Sequence, residues 1–181
     1  MATAAGSRRE DFTGTADVSS ASALPDGSHA DKMSAVPVKP LSLHLPSHLR
    51  DQLIAEALAT YPRECCGLIE GVRRGETVEA LKLHPTRNLA HEADRFEIDP
   101  MEQFRLLKAL RGTERDIVGC YHSHPNGKAH PSPRDLASAA EEHFVWLIAG
   151  VGGDGVTTVA AFVFDRGRLE AIEISPARSQ S

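Results

Sequence analysis

Ile117-Val-Gly-Cys-Tyr-His122-Ser-His124-Pro-Asn-Gly-Lys-Ala-His130-Pro-Ser132-Pro-Arg-Asp135 is the stretch that decides how this chain folds. Ile117 to Tyr121 is a short apolar run, which predicts a buried strand. Side chains alternate between the faces of a strand, so His122 and His124 at its C-terminal end project the same way. Pro125, Asn126, Gly127 and Pro131 mark a loop. Ser132, Pro133 and Asp135 then predict a helix start: a serine N-cap, a proline in the first turn and an acid at the third position. Strand, loop and helix N-terminus follow in order, with metal-ligating residue types at both ends.

Two imidazoles and a carboxylate form an N, N, O set. Such a set leaves one tetrahedral position for water, as in a catalytic zinc site rather than a closed structural one. The same residue types also suit an iron oxygenase triad. An H-x-H pair on a strand needs no metal at all, and Asp135 can simply complete a capping box with Ser132. Spacing alone leaves these readings open.

The pattern around this stretch alternates between strand and helix. Leu41, Leu43 and Leu45 predict a strand, and residues 46–60 a helix with a stripe through Leu49, Leu53, Ala57, Ile54 and Leu58. Residues 65–69 and 77–83 read as strands around Arg73-Arg74-Gly75, and residues 100–111 as a second helix. Residues 116–124 form the ligand strand, and residues 132 to about 142 the ligand helix. Residues 144–151, 156–164 and 169–174 read as strands; Gly152-Gly153-Asp154-Gly155 gives a hairpin signal between the first two, and Asp165-Arg166-Gly167 separates the last two. The expected fold class is α/β, a single domain with a mixed, largely antiparallel sheet and flanking helices. Its expected span is residues 41–176, with a disordered or loosely attached extension over residues 1–40 and a short tail at 177–181. The extension is rich in Ala, Ser, Gly, Asp and Pro and cannot bury enough apolar surface to offset its ordering entropy. Met33 is a second candidate start.

Composition is that of an ordinary globular chain: 181 residues, 41% hydrophobic and 25% charged. A net charge of −5 gives no electrostatic footprint for nucleic acid. No apolar run approaches a membrane span, and no secretory signal is visible. Three cysteines, two of them adjacent, make no disulfide framework, which points to a reducing cytoplasm.

Upstream, Tyr61-Pro-Arg-Glu64-Cys65-Cys66-Gly67-Leu-Ile-Glu-Gly71 places an acid at the entrance to an apolar strand. A buried acid is costly without a partner or a role; the plainer reading is an exposed turn carboxylate. Taken together, Pro62-x-Glu64-x-Cys66-Gly67, His-Ser-His-Pro, Ser132 and Asp135 resemble the JAMM (MPN+, JAB-domain) zinc metalloprotease family, over roughly residues 41–174. Asn88 and Phe96-Glu97-Ile98-Asp99-Pro100 look like its small prokaryotic branch. The resemblance implies an MPN-type, cytidine-deaminase-like fold. It implies His122, His124 and Asp135 as ligands of one zinc ion per chain, Glu64 as general acid/base, and Ser132 as a stabiliser of the tetrahedral intermediate. It also implies a substrate: the C-terminal tail of a ubiquitin-like or sulfur-carrier protein, cleaved at a peptide or isopeptide bond. Two alternatives stand beside it, a non-catalytic MPN-type binding module and a metal-dependent hydrolase of small amides.

Other polar residues read more plainly. His130 is expected to be exposed, with a fourth ligand or a substrate contact as its other readings; Cys120, on the strand face of the two histidines, is expected to be a small core residue, with a soft extra ligand as its other reading. Asn88 reads equally as a loop cap or as a residue that positions a substrate main chain. His44, His48, His84, His91 and His143 read as surface or loop residues.

Overall fold

A computed structural model describes residues 38–155 and 157–176. The expected extension therefore lies almost wholly outside the described residues, as do Met33 and the tail at 177–181.

The elements run β1 (Ser42–His44), α1 (Ser47–Thr60), β2 (Cys66–Arg74), β3 (Thr77–Thr86), α2 (Pro100–Leu110), β4 (Asp116–His124), α3 (Pro133–Ser138), β5 (Val145–Val151), β6 (Thr157–Asp165) and β7 (Arg168–Ser175). The strands form one closed sheet in the order β1-β3-β2-β4-β5-β6-β7. β2–β3, β2–β4, β5–β6 and β6–β7 pair antiparallel. β1–β3, β4–β5 and the closing pair β1–β7 run parallel. The mixed sheet and flanking helices match the expectation. Closure was not expected, because it depends on a pairing between the first and last strands.

One face of the sheet packs on α1. Leu49, Leu53 and Ala57, spaced at helical intervals, bury against Val78, Val118, Tyr121, Leu147 and Ala149. The Tyr121 hydroxyl donates to Glu56 Oε2 at 2.7 Å and ties this helix to the ligand strand. On the other face, Leu106 of α2 packs with Leu68 and Ile117. The Asp99 side chain caps α2, accepting from Met101 N at 2.8 Å, with Pro100 in the first turn. Beside them Cys120, Trp146, Ile148 and Phe162 form a smaller cluster.

The ligand strand falls on Asp116–His124, as its apolar pattern predicts. The ligand helix is shorter than expected, ending at Ser138 rather than near residue 142. Propensity favours continuation through Ala139 and Ala140, but tertiary bonds override it. Arg73 donates to the His143 carbonyl at 2.9 Å, and His143 N donates to Phe164 O at 2.7 Å. These bonds pull the chain off the helix axis and feed it into β5.

His84 is not a loop residue either. It lies on β3, with Nε2 2.7 Å from Glu70 Oε2, and Arg115 reaches Glu70 Oε1 at 2.9 Å. Burial disfavours the Glu70 carboxylate, but these two partners outweigh it and hold its pKa below the ordinary value. A depressed carboxyl stabilises the fold above its unfolded pKa, and that contribution is lost as pH falls through the folded one. Glu70→Gln is therefore expected to cost about 1–2 kcal/mol at neutral pH, the scale of a charge-assisted bond whose partners are partly solvated. The difference should shrink as pH falls below the ordinary glutamate range and through the lowered folded value, where the wild-type carboxyl takes up its proton. Urea unfolding of both proteins at pH 7 and pH 3 checks this, and an equal penalty at both values would contradict it.

Candidate metal centre and active site

His122 and His124 leave the same face of β4, as strand alternation requires. Their Nε2 atoms lie 2.9 Å apart. The metal loop then crosses β5 at Gly150, where an added Cβ would stand 2.6 Å from Gly127 O. Only a residue without a side chain lets the loop lie this close to the strand. The loop delivers Asp135 to the histidines: its Oδ1 is 3.3 Å from His122 Nε2 and its Oδ2 3.3 Å from His124 Nε2. All three residues are buried.

Capping α3 and facing the two histidines are compatible duties for Asp135. Ser132 Oγ accepts from Asp135 N at 3.2 Å, and Asp135 Oδ2 accepts from Ser132 N at 2.5 Å, a full capping box. The box aims the carboxylate at the imidazoles. Burial favours neutral Asp135, yet hydrogen bonds and charge from His122 and His124 hold its pKa well below the usual carboxylate range. Burial lowers the His122 pKa against the pull of Asp135. For His124, burial is outweighed by its bond to Asp135, and its pKa rises.

The donor set fits a small divalent cation. Ligand bonds of about 2.0–2.1 Å around a tetrahedral zinc give ligand–ligand edges of about 3.3 Å. The three observed separations, 2.9, 3.3 and 3.3 Å, lie close to that value. His124 Nδ1 donates to the Lys128 carbonyl at 2.9 Å, which leaves the Nε2 lone pair facing the cluster. These three residues form a group able to hold a metal, and Cys120 is not part of it. Cys120 is buried on the same face, and burial pushes its thiol pKa up, which keeps the sulfur protonated. All three cysteines are free and buried.

Glu64 is buried as well, at 6% exposure, not the exposed turn residue of the plainer reading. Several contacts fix its backbone. Cys65 N donates to Ser123 Oγ at 2.9 Å and Ser123 N to Cys65 O at 3.1 Å, so the residue between the two histidines docks the Glu64 segment onto β4. Asn88 Nδ2 donates to the Glu64 carbonyl at 3.0 Å and to Arg95 O at 2.9 Å. Asn88 Oδ1 accepts from Ala90 N and Glu97 N. These four bonds occupy the carboxamide on both sides, and Asn88 is therefore a loop organiser with nothing left for a substrate main chain. Burial pushes the Glu64 pKa up from 4.5 to about 7, with the nearby Asp135 and Asp94 charges adding to the rise and His124 opposing it. A carboxyl poised there can both accept and return a proton near neutral pH.

Two aromatic residues that the sequence reading left outside the site belong to it. Phe96 stacks on His122 with ring centroids 4.2 Å apart and a 19° tilt. Trp146 meets the same imidazole edge-on at 5.9 Å. Alternation along β5 puts Trp146 and Ile148 on one face, but nothing local says that this face meets His122. His130 is exposed, as expected, with its ring near Phe162. A cavity of about 530 Å³ opens beside the cluster, bordered by Glu64, Ser132 and Asp135 and floored by Leu68, Phe96 and Trp146.

Known proteins resemble this chain in sequence and in fold. A family model described as prokaryotic homologs of the JAB domain matches residues 46–164. The chain is 35% identical over 137 residues to a probable TtuB-protein conjugate cleaving protease of Thermus thermophilus, covering 74% of this chain and 84% of that protein. It is 34% identical over 116 residues to a desampylase of Haloferax volcanii, covering 61% and 82%. Protein DSY2949 of Desulfitobacterium hafniense, solved in solution, superposes with a TM-score of 0.67 at 26% identity, over 76% of this chain and 93% of that one. No helix among the described residues is long and apolar enough to cross a membrane. With the family model spanning well over half of its length, the chain belongs to the prokaryotic JAB-domain family.

Proposed function

We propose that this protein is a zinc metallopeptidase that cleaves a peptide or isopeptide bond at the C-terminus of a ubiquitin-like or sulfur-carrier protein. His122, His124 and Asp135 hold one zinc ion per chain, Glu64 is the general acid/base, and Ser132 supports the oxyanion. The observation that carries this reading is the convergence of three buried ligand-type atoms next to a buried carboxyl with a pKa near neutrality. Two relatives named for cleaving protein conjugates or for desampylation support the substrate class. A binding module has no need of a buried carboxyl at such a cluster. The cytoplasm is the proposed location, and the free buried cysteines suit its reducing conditions.

A zinc ion held by His122, His124 and Asp135 would supply Lewis-acid polarisation of the scissile carbonyl and a more acidic attacking water. The protein's own groups do the rest. Glu64 takes the proton of the attacking water and passes it to the leaving nitrogen as the C–N bond breaks. The carbonyl carbon keeps the hydroxyl, so the products are a carboxylic acid and an amine. Ser132 spends a lone pair on the Asp135 N–H, which leaves its O–H free to donate to the developing oxyanion. Phe96, stacked on His122, keeps water from that imidazole.

Glu64→Gln is expected to keep zinc and lose ~10²–10⁴-fold in turnover of a carrier–protein conjugate, the scale of a general base. Loss of zinc with activity retained per bound ion would make Glu64 a ligand instead. Because catalysis starts from the Glu64 carboxylate, kcat/KM should rise with pH along a limb centred above 4.5, and that limb should be missing from the Gln variant.

Asp135→Asn separates capping from ligation, since the amide oxygen can still accept from Ser132 N. The variant should keep the cap, lose at neutral pH the stability that the carboxylate gains from His122 and His124, and lose zinc measured by elemental analysis after dialysis. Full zinc retention would remove Asp135 from the ligand set. Ser132→Ala should cost ~10²–10³-fold in kcat, typical of one oxyanion donor. A kcat unchanged at equal zinc content would restrict Ser132 to capping.

A further inference from the structure

The apolar residues of α2 divide between two surroundings. Leu106 is buried against Leu68 and Ile117. Met101, Phe104 and Leu107 are 56%, 60% and 46% exposed. They follow one another at intervals of three residues, so they form a continuous stripe along the helix rather than scattered single exposures. Phe104 and Leu107 border a hollow of about 290 Å³ together with Lys108 and Arg111. Both cations are exposed, and neither has a hydrogen bond or an ion pair among the described residues. A chain of net charge −5 thus carries two unpaired positive charges beside an apolar stripe.

The stripe is continuous with the active site. Gln103 lines the cavity beside Glu64, Ser132 and Asp135. Leu107 stands one helical turn, about 6 Å, beyond Gln103 on the same side of the helix and no longer lines that cavity. Phe104 adjoins Leu107 in the next row. From the cavity wall α2 therefore leads outward, and its exposed side forms an apolar ledge at the rim.

We infer that this ledge docks the folded body of the carrier whose tail enters the cavity, and that the carrier meets it with an apolar patch flanked by carboxylates. The inference rests on the hydrolase reading given above and adds the surface that captures its substrate. A tail held only at the cleft must be ordered at an entropic cost, with few side chains to grip. Docking the body makes tail entry intramolecular and raises its effective concentration. The carrier is the constant part of every conjugate and the attached protein the variable part, so a surface of fixed chemistry suits the carrier. Lys108 and Arg111 supply the charge preference, steering an acidic carrier to the ledge and repelling a basic one.

Two kinds of substrate separate docking from catalysis. One is a panel of intact ubiquitin-like carriers of net negative charge ending in Gly-Gly, each with a fluorogenic amine on its terminal carboxyl. The other is the tail of each carrier as a free peptide with the same amine. Phe104→Glu and Leu107→Glu in the full-length zinc-loaded protein should raise KM for a carrier about ten-fold or more, the scale of an interface anchor, with kcat unchanged. Cleavage of the peptide should stay within about two-fold, as for an ordinary surface substitution, which also shows that the variants fold. Lys108→Glu combined with Arg111→Glu should weaken carrier capture and flatten its dependence on salt. Leu58→Glu, an exposed apolar position on α1 across the sheet, should change neither substrate. A carrier KM unmoved in Phe104→Glu and Leu107→Glu, or raised as much by Leu58→Glu, would overturn the inference. So would a loss seen only when a folded protein replaces the fluorogenic amine, which would make the attached protein the occupant. Faster peptide cleavage in the variants would give the ledge to a segment of this chain, and self-association that Phe104→Glu abolishes would give it to a second copy; either overturns the inference. Binding of fluorescently labelled carriers is followed in parallel, and no binding of any of them would overturn the inference as well. Binding that Phe104→Glu weakens, with no cleavage of either kind of substrate by the parent, would instead overturn the hydrolase reading and leave the docking surface standing.

Discussion

The site depends on one carboxylate that serves two structures at once. Asp135 closes the N-terminus of α3 through the capping box with Ser132 and faces the two buried imidazoles with the same pair of oxygens. Each duty fixes the other. The cap sets the carboxylate plane, and the imidazoles reward that setting with charge. A buried carboxylate without such partners would be costly and would take up a proton. α3 has only six residues and little stability of its own. Its position follows from the cap and from the metal loop that lies across Gly150. The shortness of the helix is then no defect, since its first turn is the part that aims Asp135 at the histidines.

Glu64 is held by a different principle. Its side chain must sit in a poorly solvated place for its pKa to reach neutrality, yet its position must be exact to a fraction of an ångström. Backbone bonds supply that position, so the carboxyl itself stays available. From the ligand strand Ser123 bonds the adjacent Cys65, and from the following loop Asn88 bonds the Glu64 carbonyl. Asn88 also holds the stretch that presents Phe96, so a single carboxamide sets both the Glu64 backbone and the aromatic wall over His122. Arg63 adds two bonds to the carbonyls of Ala90 and His91 and staples the same loop from its other end.

What the sequence reveals about this site is what short spacing can encode. His122, His124, Ser132 and Asp135 lie within one strand–loop–helix unit, and the alternation and capping rules that place them act over a few residues. Glu64 became legible only through its motif, because its burial depends on strands that pair from a distance. Phe96 and Trp146 left no local signal of contact with His122, since each arrives from a different part of the chain. The strands of the fold could be read from apolar runs and turns, but closure through β1 and β7 could not, since a period of two says that a segment is a strand and not which strand it meets. The early end of α3 was hidden for the same reason: Arg73 and Phe164, far along the chain, decide it.

The orientation of β4 poses the sharper constraint. The strand is buried along almost its whole length, so a hydrophobic pattern cannot state which face His122 should take. A slip of one residue would turn both histidines toward α1. Polar contacts on the opposite face prevent it: Tyr121 reaches Glu56 on α1, and Ser123 is bonded to Cys65. The irregularity opposite Ile69 and Glu70 completes the phasing. It lets Val118 and Tyr121 share the α1 core while Ile117 and Cys120 both face the other side. Beyond that point alternation runs unbroken through His124. The bulge therefore links the two apolar cores to the ligand face, and a strand made without it could satisfy the packing of α1 or that of α2 but not both.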